Sequence, residues 1–201
     1  MFRRNSLIVA SLALGLVATS VHAGSGLAPT PSLLETAKAG DAAKDFSIQL
    51  REALMAAMAQ GGPTAGIRVC RDQAPRIADA VSAKHGVALG RIGVRTRQPT
   101  NRIDGWQRQV LDAWAAQPAD TAPSQWAPQV HHDADTNTLR WAKAIETEGT
   151  CLACHGSNIS DSTRAALDEF YPDDGATGFL LGSLRGLIWV EVPSAAKAPG
   201  G

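Results

Sequence analysis

Residues 150–158 read TCLACHGSN. Two thiols three positions apart, with a histidine directly after the second, suit one particular piece of chemistry. The C-x-x-C spacing lets a single turn present both sulfurs to the two vinyl groups of a haem, forming two thioethers, and the next imidazole then lies under the iron. That assigns Cys151 and Cys154 to the covalent attachment of one haem c, and His155 to the proximal axial position. A chain of this composition would contain the motif by chance about 0.001 times. A thioredoxin-like redox pair or half of a zinc site would also use C-x-x-C. Neither needs the histidine there, and a zinc site would want a second ligand pair when only Cys70 remains.

The N-terminus points to the same compartment as the motif. Arg3 and Arg4 precede an apolar stretch from Leu7 to Ala18, and Val21 and Ala23 are placed for cleavage after Ala23. The stretch is too short and too weakly flanked to span a membrane. Residues 1–23 therefore read as an export leader, which in a bacterium makes the protein periplasmic, where haem is attached after export. Without the leader the chain keeps 17 basic and 19 acidic side chains, a net charge of about −2. No basic field argues for a nucleic-acid partner, and no second apolar span appears. Residues 24–32 and 194–201 are Gly-, Pro- and Ser-containing ends of flexible composition, leaving one domain over 33–193.

The motif supplies one face of the iron, so the elements that could position a ligand on the other face come next. Ser32 and Glu35 form a capping box, and Phe46, Leu50, Leu54 and Met58 recur every four residues, predicting a helix that stops at Gly61, Gly62 and Pro63. A second helix is predicted from Ala65 to His85, with Ile67, Cys70, Ala74, Ile77, Ala78 and Val81 on one stripe, a kink at Pro75 and a cap at Gly86. Cys70 thus faces inward. A buried thiol can be a plain small hydrophobe. With the other cysteines committed it has no partner in the chain, and an unpaired thiol is unusual in an oxidising compartment, where metal ligation would protect it.

Residues 88–101 alternate, with Ile92, Val94 and Thr96 on one face of a strand and Arg91, Arg95 and Arg97 on the other. A helix follows from Asp104, with Trp106, Val110 and Trp114 four apart. Residues 130–146 read as a hairpin turning near Asp133 to Asn137. A short helix from Ser162 to Tyr171 could cover a haem edge with Leu167, Phe170 and Tyr171, and a strand from Leu184 to Val192 ends the domain. Trp141 and Trp189, on neighbouring strands, are expected in one core. Strands on both sides of the motif exclude the all-helical cytochromes and give an α+β fold.

Four segments in this order, IRVCRDQAPRIA (67–78), GVRTRQPTNRIDGWQRQVL (93–111), CLACHG (151–156) and YPDDGATGFLLGSLRG (171–186), resemble a c-type haem domain family of unknown function, found alone or ahead of sensor kinases. The resemblance covers roughly residues 33–193. It implies a PAS-like fold, a central antiparallel sheet with flanking helices, and His/Cys axial ligation in which the distal cysteine maps onto Cys70. Where the family usually has Asn before the proline of the second segment, Gln98 stands here.

Other distal candidates are His131 and His132, of which only one can point inward from a strand; His85, at a helix end; and Met55 and Met58, which also suit a plain core. An open position is a further alternative. Arg95, Arg97, Arg102, Arg140 and Arg185 are candidates for the haem propionates, since guanidinium binds carboxylate bidentately.

A thiolate opposite histidine lowers the reduction potential and leaves no open position until a ligand departs. Three functions follow: a redox or gas sensor in which reduction or a diatomic ligand displaces Cys70; a small electron carrier; and a haem enzyme acting on sulfur compounds, for which no acid–base pair is evident. No output segment is recognisable, so a sensor would work through a protein partner. The mature protein, once denatured, should keep its Soret absorbance and a mass increase of one haem; pigment extracted by acidified organic solvent would refute attachment through Cys151 and Cys154.

Overall fold

The computed structural model describes residues 32–97, 105–117 and 120–194. The leader, Gln98 and Arg102 lie outside them. Ser32 caps the first helix, α1 (Leu33–Arg68), its Oγ accepting from the Glu35 amide at 3.5 Å. The expected stop at the glycine pair is real. Gly61 and Gly62 leave helical geometry, Gly62 at φ 64°, and Pro63 opens the next stretch, so α1 is two helical pieces joined at a corner. The second piece runs into a single π-helical turn, Val69–Gln73, before α2 (Ala74–His85). Pro75 explains the break: it lacks an N–H and its ring crowds the preceding turn, so the backbone widens just before it. Gly86 ends α2 in the left-handed conformation. Asp45 clamps α1 to α2, accepting from Lys84 at 2.7 Å, Gln49 at 2.8 Å and His85 at 2.9 Å. These donors, Lys84 first, hold its carboxyl well below the usual carboxylate range.

Four strands form one antiparallel sheet in the order β1-β4-β3-β2: β1 (Ala88–Gly93), β2 (Gln129–Asp133), β3 (Thr138–Glu146) and β4 (Leu184–Pro193). The 130–146 hairpin turns where expected, with Asn137 at φ 49°. β1 stops at Gly93, short of the predicted strand end. There it pairs with Gly186, and the two backbones come so close that a Cβ on Gly186 would collide with the Ile92 carbonyl.

The sheet separates two cores. On one face Leu89, Leu139, Trp141, Val190 and Val192 pack against Ala42, Phe46 and Leu50 of α1 and Val81 of α2. On the other, Ile92, Ala142, Ala144 and Leu187 pack against Leu111 and Trp114 of α3 (Trp106–Ala115). Trp189 belongs with this second face, which corrects the expected pairing. Its register partner on β3 is Ala142, whereas Trp141 faces Val190, so the two indoles point to opposite sides. After β3 come the short helix α4 (Leu152–His155) and α5 (Asp161–Phe170), capped by Ser160. Among the described residues no helix is long and apolar enough to cross a membrane.

Trp141 is 6% exposed and Trp189 is half-buried. Truncation of Trp141 to Ala should therefore cost about 3–5 kcal/mol and truncation of Trp189 less. Urea unfolding of both variants checks this; equal losses would place both rings in one core.

Candidate functional site

Where the α1 corner, the π turn, the end of β1 and the start of β4 meet, they enclose a cavity. Cys151, Cys154 and His155 line it from α4 and the turn before it. Cys70, on the π turn, lines it too, although 81 residues separate it from Cys151. Leu54, Met58 and Ile67 supply the apolar wall, and Arg91, Arg95, Arg97 and Arg185 the charged one. All three cysteines are free thiols. The Cys154 Sγ lies 3.9 Å from the Pro63 carbonyl, so the attachment motif sits against the α1 corner.

His155 is held from both sides. The Phe179 amide donates to its carbonyl at 2.9 Å, and the Gly178 amide to the Gly156 carbonyl at 3.0 Å. Its Nδ1 is 2.6 Å from the Ala176 carbonyl oxygen. Two lone pairs cannot approach that closely, so the proton is on Nδ1 and is donated to Ala176. Nε2 is left as the bare nitrogen facing the cavity, the tautomer a metal ligand needs. In the chain alone, Arg185 Nη2 stands 3.1 Å from that nitrogen.

Arg97 fastens the motif to the loop behind it. Its Nη2 donates to the Cys154 carbonyl at 2.7 Å, and its Nε is 3.4 Å from Asp174. That Nε is buried without a hydrogen bond. Arg95 and Arg185 stack on the Phe179 ring at 4.2 and 4.6 Å. Burial and then Arg91 and Arg97 push the Arg185 guanidinium down to about 10. Burial also raises the Cys154 thiol. The cavity is thus short of negative charge. A planar dicarboxylate with an iron at its centre fits this donor set: two thiols for the vinyls, a bare imidazole nitrogen, a third thiol, and guanidiniums for the carboxylates.

Several residues singled out from sequence lie elsewhere. Arg140 is not a cavity residue; it projects on the α3 face, 2.6 Å from Asp133 and 3.7 Å from Glu191, because its register partner there is Glu191. Leu167 and Phe170 pack beside the cavity rather than lining it, and Arg71 stacks on Phe170 at 4.3 Å. Tyr171 does line it. His85 is taken by Asp45, His131 is exposed, and His132 Nε2 lies 3.4 Å from Ser194 Oγ. Met55 is exposed and Met58 lines the cavity. Sequence reasoning missed Phe179 and Ala176, which hold His155 through backbone groups that no side-chain pattern announces, and Asp174, whose carboxylate meets Arg97 and the Ala176 amide.

A family profile named Tll0287-like matches residues 28–193. The chain belongs to this family. Among solved structures, one described as the cyanobacterial heme-protein Tll0287 is 22% identical, with a TM-score of 0.59, and the match covers 84% of this chain and all of that one. The likeness bears out the α+β architecture read from the sequence. No curated protein matches the chain.

Protonating His155 would bury a charge beside two guanidiniums, so burial first, then Arg185 and Arg97, push its imidazole from 6.5 down to about 2. Between those values the unfolded chain binds the extra proton, so this contribution to stability is complete above about 6.5 and is lost as pH falls through the window. Relative to a His155→Gln variant, the cofactor-free chain should lose about 2 kcal/mol between about pH 7 and 5, the slope approaching about 1.4 kcal/mol per pH unit only at the acid end. Urea titrations between about pH 7 and 5 test this, and parallel slopes would sink it.

Proposed function

We propose that the chain is a periplasmic monohaem c-type protein that senses redox state or a diatomic gas and reports through a protein partner. Cys151 and Cys154 would hold the haem covalently, His155 and Cys70 would be its axial ligands, and residues 1–23 would be the export leader. The observation that carries this is the meeting of Cys70 with His155 and the C-x-x-C pair on one cavity. Membership in a family whose solved relative is described as a heme-protein supports it. Bound there, haem would supply a one-electron centre whose reduction weakens a thiolate bond.

The chain's own residues then have defined parts. Ala176 fixes the His155 tautomer, and Arg97 fixes the backbone beneath it. Arg185 and Arg91 are placed to take propionates, and Arg185 would leave Nε2 to do so. The π turn at Cys70 is a rare local geometry of the kind frequent at functional sites, which fits a ligand-bearing position.

A second reading, a small electron carrier, is favoured by Leu180 and Leu181. They are 69% and 68% exposed directly after Phe179, which bonds to His155. Such an apolar patch beside a redox centre suits transient docking. Reversible binding of carbon monoxide or nitric oxide only in the reduced state, with a shifted midpoint potential, favours sensing; fast electron exchange without ligand binding favours transfer.

Replacement of Cys70 by Ser or by Ala should keep the covalent haem. Both should lose the low-spin thiolate signature in electron paramagnetic resonance, raise the midpoint potential and open ferric iron to imidazole or cyanide. A wild-type spectrum in both variants would leave Cys70 as a core residue and remove the basis of the switch.

A further inference from the structure

Met58 has so far been part of the apolar wall, and its position suggests a further role. It lies on the first piece of α1, before the Gly61–Gly62 corner, whereas Cys70 lies beyond the corner, on the π turn into which the second piece runs. Both side chains line the same cavity. Between them is Gly66, four residues before Cys70 and so on the same side of its helix. Gly66 is buried against Met58: a Cβ built there would lie 3.0 Å from Met58 Cγ and 3.6 Å from its Sδ. The missing side chain leaves the thioether resting on the helical turn that precedes Cys70. A half-buried thioether on a cavity wall that also holds a thiol and a bare imidazole nitrogen is a second soft donor for the same metal.

We infer that Met58 is the reserve axial ligand of this site, binding iron in the reduced state when Cys70 has let go. The inference rests on the haem reading above. The two donors divide the oxidation states by charge. Anionic thiolate favours ferric iron, and neutral thioether favours ferrous. The exchange balances with one electron from an external one-electron donor, a reduced carrier protein in the periplasm or dithionite in the test. Iron goes from ferric to ferrous, the bond to the Cys70 sulfur breaks, that sulfur leaves as the thiol with a proton from solvent, and a lone pair of the Met58 sulfur forms the new bond. The two donors sit on separate helical pieces joined at a non-helical corner. Exchanging them transfers the restraint from the second piece, with its π turn, to the first, so the oxidation state sets which piece is held.

The test uses the holoprotein with its covalent haem. After dithionite reduction, the proton spectrum of the wild type should show a three-proton methyl singlet shifted far upfield by the porphyrin ring current. The singlet should vanish in Met58→Leu and survive in Met55→Leu. Ferric Met58→Leu should keep the wild-type thiolate signature in electron paramagnetic resonance, which reports an intact fold and site. Carbon monoxide should bind ferrous Met58→Leu more tightly than wild type, by roughly tenfold or more, because apparent affinity scales with the fraction of open sites. A wild-type ferrous spectrum without the singlet, from protein with covalent haem and the ferric thiolate signature, overturns the role of Met58 and leaves the haem reading standing. Absence of covalent haem or of the thiolate signature overturns both.

Discussion

The site depends on one hydrogen bond. The Ala176 carbonyl, 2.6 Å from His155 Nδ1, fixes which ring nitrogen is bare and where it points. That carbonyl is itself held by a chain of backbone contacts. The Ala176 amide donates to Asp174 at 2.7 Å, and the Gly175 amide to the Thr96 carbonyl at 3.2 Å. Phe179 and Gly178 pair with the motif backbone, and Gly182 donates to the Thr147 carbonyl at 2.9 Å at the end of β3. The loop from Tyr171 to Ser183 thus binds the C-x-x-C-H turn to the sheet. A four-residue helix such as α4 has too few internal hydrogen bonds to hold an imidazole by itself.

Charge is the second constraint. Four guanidiniums face one cavity, with Asp174 beside Arg97. Burying a cation without a counter-charge is unfavourable, and the depressed Arg185 shows it. On the proposed reading, two propionates relieve this, so the cofactor completes the electrostatics of the fold as well as its chemistry. An apolar plug of the same shape would leave the guanidiniums unpaired.

Much of the architecture was legible because local rules acted alone. The Ser32 cap, the glycine–proline corner, the Gly86 cap and the 130–146 hairpin each depend on a few adjacent residues. The C-x-x-C-H turn was legible as a unit for the same reason, since its residues are adjacent along the chain, and its two thiols and imidazole do line one cavity. What failed depended on register. A period of two says which residues of one strand share a face, but it does not say how two strands are aligned. That is why Trp189 was set in the wrong core and Arg140 on the wrong wall. The early end of β1 was illegible because it follows from the close crossing of Gly93 and Gly186, distant in sequence.

Three free thiols on one cavity also bear on maturation. In an oxidising compartment, a C-x-x-C pair closes readily to a disulfide by thiol exchange, and Cys70 is near enough to influence Cys154 electrostatically. A sulfur tied up in such a bridge cannot form a thioether. On the proposed reading, folding that gathers these thiols before haem arrives would lead to a dead end, so that reading requires reduction first, then attachment, then closure of the cavity.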